Sequence, residues 1–373
     1  AFDRLVTIGA SFTQGVQSAV PTDHAVLHSP AAQIARQAQA YLPLPQLKPD
    51  LFLPMEITDI GEPPGCVVPP VVQYISWSMT STLTDMVDPD TGEFGFQYGR
   101  EDPDIEVWNL GVGSFTLREV AVGPDPDDSI QQFLAHIVYD PYGGIFDSVP
   151  SGPLPIVQEL DPTIVVAVDF VGNNVVTPML QGNIINPDEL ISLEEFAGYL
   201  TTTLDELEKT DAEIFIADLP DATILPAVAE RKRFILEQGW QTEQEIDEAL
   251  AQVSAAADAF TAEIHAQCEA RERVHLIPLK AEVDAINAAG GVDIGTTVLT
   301  IDKFGGLISY DGLHFTDAGY ALLANISLET INAELGTDIP LVDMAAVHAV
   351  DPYSPEAMVT QGLDPAECDP LSL

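Results

Sequence analysis

Leu5-Val6-Thr7-Ile8-Gly9-Ala10-Ser11-Phe12-Thr13-Gln14-Gly15 is the stretch that decides the fold. Its first half is a short, nearly continuous apolar run. Such a run reads as a strand covered on both faces, as in a parallel sheet flanked by helices. Its second half is a turn of small residues. The turn places Ser11 just past the carboxyl end of the strand, where open α/β sheets bind ligands. Four more runs have the same character: Ile105 to Asn109, Ile164 to Phe170, Ile214 to Ala217, and Val274 to Pro278. Helical patterns alternate with them. Ser29-Pro30 reads as an N-cap with Pro at the first helical position, opening a helix to about Ala40. Leu193 to Lys209 is amphipathic, Thr242 to Arg273 is rich in Ala and Glu, and Asp317 to Leu335 closes the series. Strands alternating with helices predict a doubly wound α/β domain.

The chain has 373 residues, enough for one large domain with insertions. We expect a single domain over 1–340 and a loop-like C-terminal tail over 341–373. Two stretches exceed ordinary connections: 17–103, rich in proline, and 219–273, which carries extra helix. Loops of that size commonly shape a substrate site. Leu51, Phe52, Leu53, Val67, Val68, Val71 and Val72 give the first stretch apolar surface, enough for a cap over an acyl chain or for packing onto the core.

Charge narrows the function classes. There are 13 basic residues against 59 acidic ones, a formal net charge of −46. So few Lys and Arg cannot build a basic stripe, which excludes phosphate-backbone binding as an expectation and disfavours adsorption to an anionic membrane surface. A heavily carboxylated surface stays hydrated and self-repelling, and high salt screens that repulsion. No apolar run has the length of a transmembrane helix. The sequence starts at Ala1 with a strand almost at once; we expect a secreted or cell-envelope location. Cys66, Cys268 and Cys368 are far apart and form no C-x-x-C pair, so neither a zinc ribbon nor a thioredoxin site is supported. One disulfide plus a thiol, or three thiols, fit equally.

Four segments carry chemistry. Ser11 has an exposed hydroxyl and a backbone N–H near a helix start; the bland alternative is a serine N-cap. Asp311 and His314 lie three apart in Tyr310-Asp311-Gly312-Leu313-His314, where an Asp can orient an imidazole whose other nitrogen faces a nucleophile. Gly172-Asn173-Asn174 follows the third strand, and an Asn there can donate to a developing oxyanion. Asn109-Leu110-Gly111-Val112-Gly113-Ser114 follows the second strand, its small residues letting a backbone N–H approach the same oxygen.

In order, spacing and placement at strand ends, these segments resemble the SGNH (GDSL-type) hydrolase family, in particular its bacterial lipase and esterase members. The resemblance spans roughly residues 4 to 340. It implies a three-layer α/β/α sandwich, flavodoxin-like, with a five-stranded parallel sheet in the order 2-1-3-4-5. It assigns Ser11 as nucleophile, His314 as base and Asp311 as its orienting acid. The oxyanion donors would be the Ser11 N–H, an N–H of Gly113 or Ser114, and Asn174. The activity implied is hydrolysis of a carboxylic ester through an acyl-enzyme, with no cofactor and no metal. A small-molecule or lipid ester is the expected substrate. Departures from the family pattern are Ala10 where block I has Asp, Ser114 at the block II glycine, Val175 where Asp is common, and Phe315 where Pro is common. Two other readings use the same residues: a retired scaffold acting as a surface binding or structural protein, and an acyltransferase.

The remaining candidates read as structure. Asp88-Pro89-Asp90-Thr91-Gly92-Glu93 faintly resembles a calcium loop but lacks the full spacing, so we expect a solvated hairpin turn; Gly123 to Asp128 reads likewise. His24 and His28 form an H-x-x-x-H pair. We expect that segment to be a loop ahead of the Ser29-Pro30 helix start, hence with no metal role.

Overall fold

The computed structural model describes residues 2–49, 51–52, 58–59, 66–67, 85–88, 90–143 and 151–360. Its centre is a five-stranded, all-parallel sheet. We number these strands in chain order: β1 (Leu5–Gly9), β2 (Asn109–Gly111), β3 (Ile164–Ala167), β4 (Glu213–Ala217) and β5 (Val274–Ile277). Their spatial order is 2-1-3-4-5. The strand order reverses between β1 and β3, and the turn after β1 lies at that switch point.

Side-chain alternation divides the core into two layers. Val6, Ile8, Val165, Ala167, Ile214 and Ile216 point to one face. There they meet Val120, Val157, Val175, Leu200, Leu204, Val253 and Phe260 from a row of helices. Leu5, Ile164, Val166, Phe215 and Ile277 point to the other. Ile34 from Pro30–Ala38, and Leu323, Leu328 and Ile331 from Asp317–Leu335, cover that side. Both faces of the inner strands are covered, which is why β1, β3 and β4 are mostly apolar on both sides instead of alternating. The result is a three-layer α/β/α sandwich.

Local chemistry sets the helix ends. Ser29 Oγ accepts the Ala32 N–H at 3.2 Å, with Pro30 at the first helical position. Thr242 caps Glu243–Glu269 in a reciprocal box with Glu245. Thr316 caps Asp317–Leu335 and also donates its hydroxyl to the Gly306 carbonyl at 2.7 Å.

Several expectations need correction. The second strand is not Ile105 to Asn109 but Asn109–Gly111. The carbonyl of Pro43 takes the Trp108 and Asn109 N–H groups at 2.9 and 3.4 Å; the Trp108 carbonyl accepts the Thr7 N–H at 3.0 Å, and the paired register with β1 starts at Asn109. The tail is no simple loop: residues Met344–His348 and Pro355–Thr360 are short helices. Asp351, Tyr353 and Met358 are buried there, and the Asp351 carboxylate accepts the Ala318 N–H at 2.9 Å. Leu51 and Phe52 are buried in the core with Met86, Phe96 and Phe133, so this end of the first insertion packs inward. Leu53, Val68, Val71 and Val72, the side chains of Cys66 and Val67, and Cys368 lie outside the described residues. Cys268 is a buried free thiol, which burial pushes up to about 12. Asp88 to Glu93 is a hairpin turn: Val87 bridges Phe94, and Asp88 Oδ1 accepts the Asp90 and Thr91 N–H groups at 2.8 and 3.3 Å. Among the described residues no helix is long and apolar enough to cross a membrane.

Candidate active site

The turn after β1 is held from below by a carboxylate whose role the sequence did not disclose. Asp169, past the end of β3, accepts the N–H groups of Ala10 (3.0 Å), Phe12 (2.5 Å) and Thr13 (3.3 Å). It also accepts the Thr13 hydroxyl at 2.5 Å. These donors belong to the first turn of the short Ser11–Gln14 helix, whose N–H groups have no partner within the helix. Gly9 is required by the same contact. Its φ is +155°, and a Cβ there would lie 2.4 Å from Asp169 Oδ1. Burial raises the Asp169 carboxyl above its ordinary value, against the pull of these hydrogen bonds. The Ser11 N–H is left uncommitted in this network.

Asp311 and His314 meet through a short bond. His314 Nδ1 lies 2.6 Å from Asp311 Oδ2, so Nε2 is free to face outward. Asp311 also accepts the N–H groups of Leu313 and His314 at 2.9 Å each, that of Ala19 at 2.6 Å, and the Ser309 hydroxyl at 3.3 Å. Burial works to raise this carboxyl, but the charge and hydrogen bond of His314, with the Leu313 and His314 N–H groups, hold it below the ordinary value. Asp311 is therefore an anion in position to orient the ring and to stabilise its cation. The ring itself packs edge-on against Phe12, the neighbour of Ser11, with centroids 5.8 Å apart. This contact brings the Asp311–His314 pair to the turn that carries Ser11. Among the described residues no hydrogen bond joins Ser11 Oγ to His314; such bonds commonly tighten only around substrate.

Asn173 and Asn174 clamp the segment after β2. Asn174 Oδ1 accepts the Leu117 N–H at 3.0 Å, and Asn173 Nδ2 donates to the Phe115 carbonyl at 2.8 Å. Because a backbone N–H can bond only to the amide oxygen, the Asn174 orientation is fixed and its Nδ2 remains uncommitted.

The choice between Gly113 and Ser114 follows from a third residue. Gly113 donates its N–H to Gln14 Oε1 at 2.8 Å, with Gln14 buried. Gly113 is thus not available as an oxyanion donor, contrary to half of the expectation. The N–H of Ser114 has no hydrogen-bond partner among the described residues. Ser114 also holds φ +70°, a left-handed conformation unfavourable for a residue with a Cβ. Strain kept at such a position is common where a backbone group is aimed at a ligand. The uncommitted donors are the N–H groups of Ser11 and Ser114 and the amide of Asn174.

An apolar pocket with about 880 Å³ of empty space, including its open mouth, is lined by chain neighbours of Ser11 and His314 but not by Ser11, Ser114, Asn174 or His314 themselves. Phe12, Leu313 and Phe315, neighbours of Ser11 and His314, contribute to its lining, as do Leu219, Leu279 and Ile301. Set against models of known protein families and against curated proteins, the chain matches none.

His24 and His28 require a further correction. They lie on a helix, Asp23–His28, not in a loop, because Thr22 caps it by accepting the Ala25 N–H at 3.0 Å. Both rings face the buried Asp317.

Proposed function

We propose that the protein is a serine ester hydrolase of the SGNH type, acting on esters of hydrophobic acids. The observation that carries the reading is the His314 Nδ1–Asp311 Oδ2 bond of 2.6 Å beside a turn whose serine N–H is uncommitted. The ordered resemblance of four sequence segments supports it, and so does the sheet order 2-1-3-4-5. Likeness of fold alone does not carry a function.

In this mechanism His314 Nε2 takes the Ser11 proton as Ser11 Oγ attacks the ester carbonyl. Asp311 keeps the imidazole in the right tautomer and stabilises the imidazolium. The carbonyl oxygen becomes an oxyanion bound by the Ser11 and Ser114 N–H groups and the Asn174 amide. Losing one such donor typically costs about 10²–10³-fold in rate. The imidazolium returns its proton to the leaving alcohol. Water then attacks the acyl-enzyme, with His314 again as base, and the acid departs. The apolar pocket supports a hydrocarbon acyl group over an acetyl group, since burying each CH₂ contributes about 0.8 kcal/mol.

A chain-length series of p-nitrophenyl esters, acetyl to palmitoyl, tests this with wild type and Ser11→Ala. The expected result is Ser11-dependent turnover that rises beyond acetyl. Undiminished turnover by Ser11→Ala, or no turnover together with no labelling of Ser11 by a phosphonate, overturns the assignment.

A further inference from the structure

We propose that His24, His28 and Asp317 form a binding site for one divalent transition-metal ion of the zinc type, behind the Asp311–His314 turn. The inference does not rest on the hydrolase reading. One ligand atom from each of the three residues lies within 4.8 Å of the other two. Two imidazoles and one carboxylate, with a fourth position open to water, form a common donor set for zinc.

The surroundings prepare these donors. The two rings are stacked, centroids 4.0 Å apart, as an i, i+4 pair on one helix face. His28 Nδ1 donates to the His24 carbonyl at 2.8 Å, which leaves the Nε2 lone pair free. Orienting a ligating imidazole through its second nitrogen is the usual outer-shell device. Asp317 is fully buried; its Oδ1 accepts Gln17 Nε2 at 2.8 Å, and its Oδ2 lies 2.8 Å from His24 Nε2. The metal would take the place of the proton between His24 and Asp317. A tetrahedral ion at about 2.0–2.1 Å from each donor needs the ligands roughly 3.3 Å apart, an adjustment of about an ångström or less for the His24–Asp317 contact.

Two independent features mark the place as one that favours a cation. The amide oxygens of Gln17 and Gln33 are buried without a hydrogen-bond partner among the described residues, although the Nε2 of each side chain bonds to the cluster or its backbone. Buried polar atoms of that sort call for a specific explanation. A second buried carboxylate, Asp351, accepts the N–H of Ala318, the residue next to Asp317. Both imidazoles are partly exposed, so an ion can enter from solvent.

The test must separate this site from the acidic surface, which binds any cation weakly. Chelator-treated protein is dialysed against zinc in the presence of a large excess of magnesium, and bound zinc is measured by elemental analysis. The expected result is one zinc per chain, a melting temperature raised by zinc, and visible cobalt d–d absorption of a four-coordinate site. His28→Gln leaves the His24–Asp317 bond in place and is expected to lower zinc affinity at least 100-fold with an unchanged circular dichroism spectrum. Less than stoichiometric zinc in wild type, or equal zinc in wild type and the His24→Gln/His28→Gln double variant, overturns the proposal.

Discussion

Two histidine–carboxylate pairs lie on opposite sides of one turn and are built differently. At Asp311–His314 the buried carboxylate accepts five donors: the His314 ring, three backbone N–H groups and the Ser309 hydroxyl. At Asp317–His24 a carboxylate just as buried accepts two, the His24 ring and the Gln17 amide. The first pair also uses Nδ1 of its histidine and leaves Nε2 outward, whereas the second uses Nε2 itself. One carboxylate is saturated and orients an imidazole; the other is under-supplied and open to an added positive charge. Asp351 sharpens the contrast. Burial, and then the charge of Asp317, push its carboxyl up to about 7.

The largest effect that tests this difference is Asp311→Asn. An amide nitrogen would face either the His314 ring and the Ala19 N–H, forcing the wrong tautomer, or the Leu313 and His314 N–H groups, setting donor against donor; we expect kcat to fall about 10⁴-fold. Asp317→Asn should lower kcat less than 10-fold while removing zinc binding. Comparable losses of ester turnover in both variants would show that the two pairs act as one unit.

Acid denaturation gives the next test. The Asp311 carboxyl is held below its unfolded value, so its contribution is complete above the ordinary carboxylate range and is lost as pH falls through the depressed value. Asp169 is shifted the other way, so its contribution declines as pH rises from its unfolded value towards its raised one. Melting curves between pH 2 and pH 6 should show the Asp311 component as a steep acid limb, shallower in Asp311→Asn.

How far the sequence reached also differs between the two pairs. Asp311 and His314 were legible because both partners lie in one turn, three residues apart. The second pair was not, because its partners come from residues 24 and 317. The H-x-x-x-H spacing was visible, and Thr22-Asp23 was a usable capping signal. The Ser29-Pro30 start drew the helix boundary too late, since two helices can abut at one serine. A helix as short as Asp23–His28 is set by tertiary contacts, not by propensity. The fold itself was plain, because a sheet covered on both faces writes its inner strands as apolar runs. The position of β2 was hidden, because the Pro43 carbonyl that diverts it lies far away in sequence. Gln14 was hidden in the same way: nothing local says that it will occupy the Gly113 N–H. Asp169 lies within the run Ile164 to Phe170, yet its four donors come from residues 10–13.

Gln17→Leu probes the poorer pair more gently. Among the described residues it removes the only side-chain donor to Asp317 besides His24, and we expect a loss of about 1–3 kcal/mol in urea unfolding. Turnover should stay within a few-fold of wild type. The smallest effect belongs to Ser309→Ala. Asp311 keeps four stronger donors, so we expect kcat to change less than threefold; a loss comparable to that of Asp311→Asn would end the claim that this carboxylate is saturated.

The division of the site along the chain has a consequence for the cell. Ser11 and Asn174 are synthesised before His314, which emerges some three hundred residues after Ser11. β1 also sits between two strands that are made later, so its seat in the sheet is completed only after β3. On the proposed function, a growing chain carries the nucleophile through some three hundred residues of synthesis without the base that would activate it. The order of translation then serves as a safety catch: the ester-cleaving power arrives at once, and only after the turn that carries Asp311 and His314 has been made.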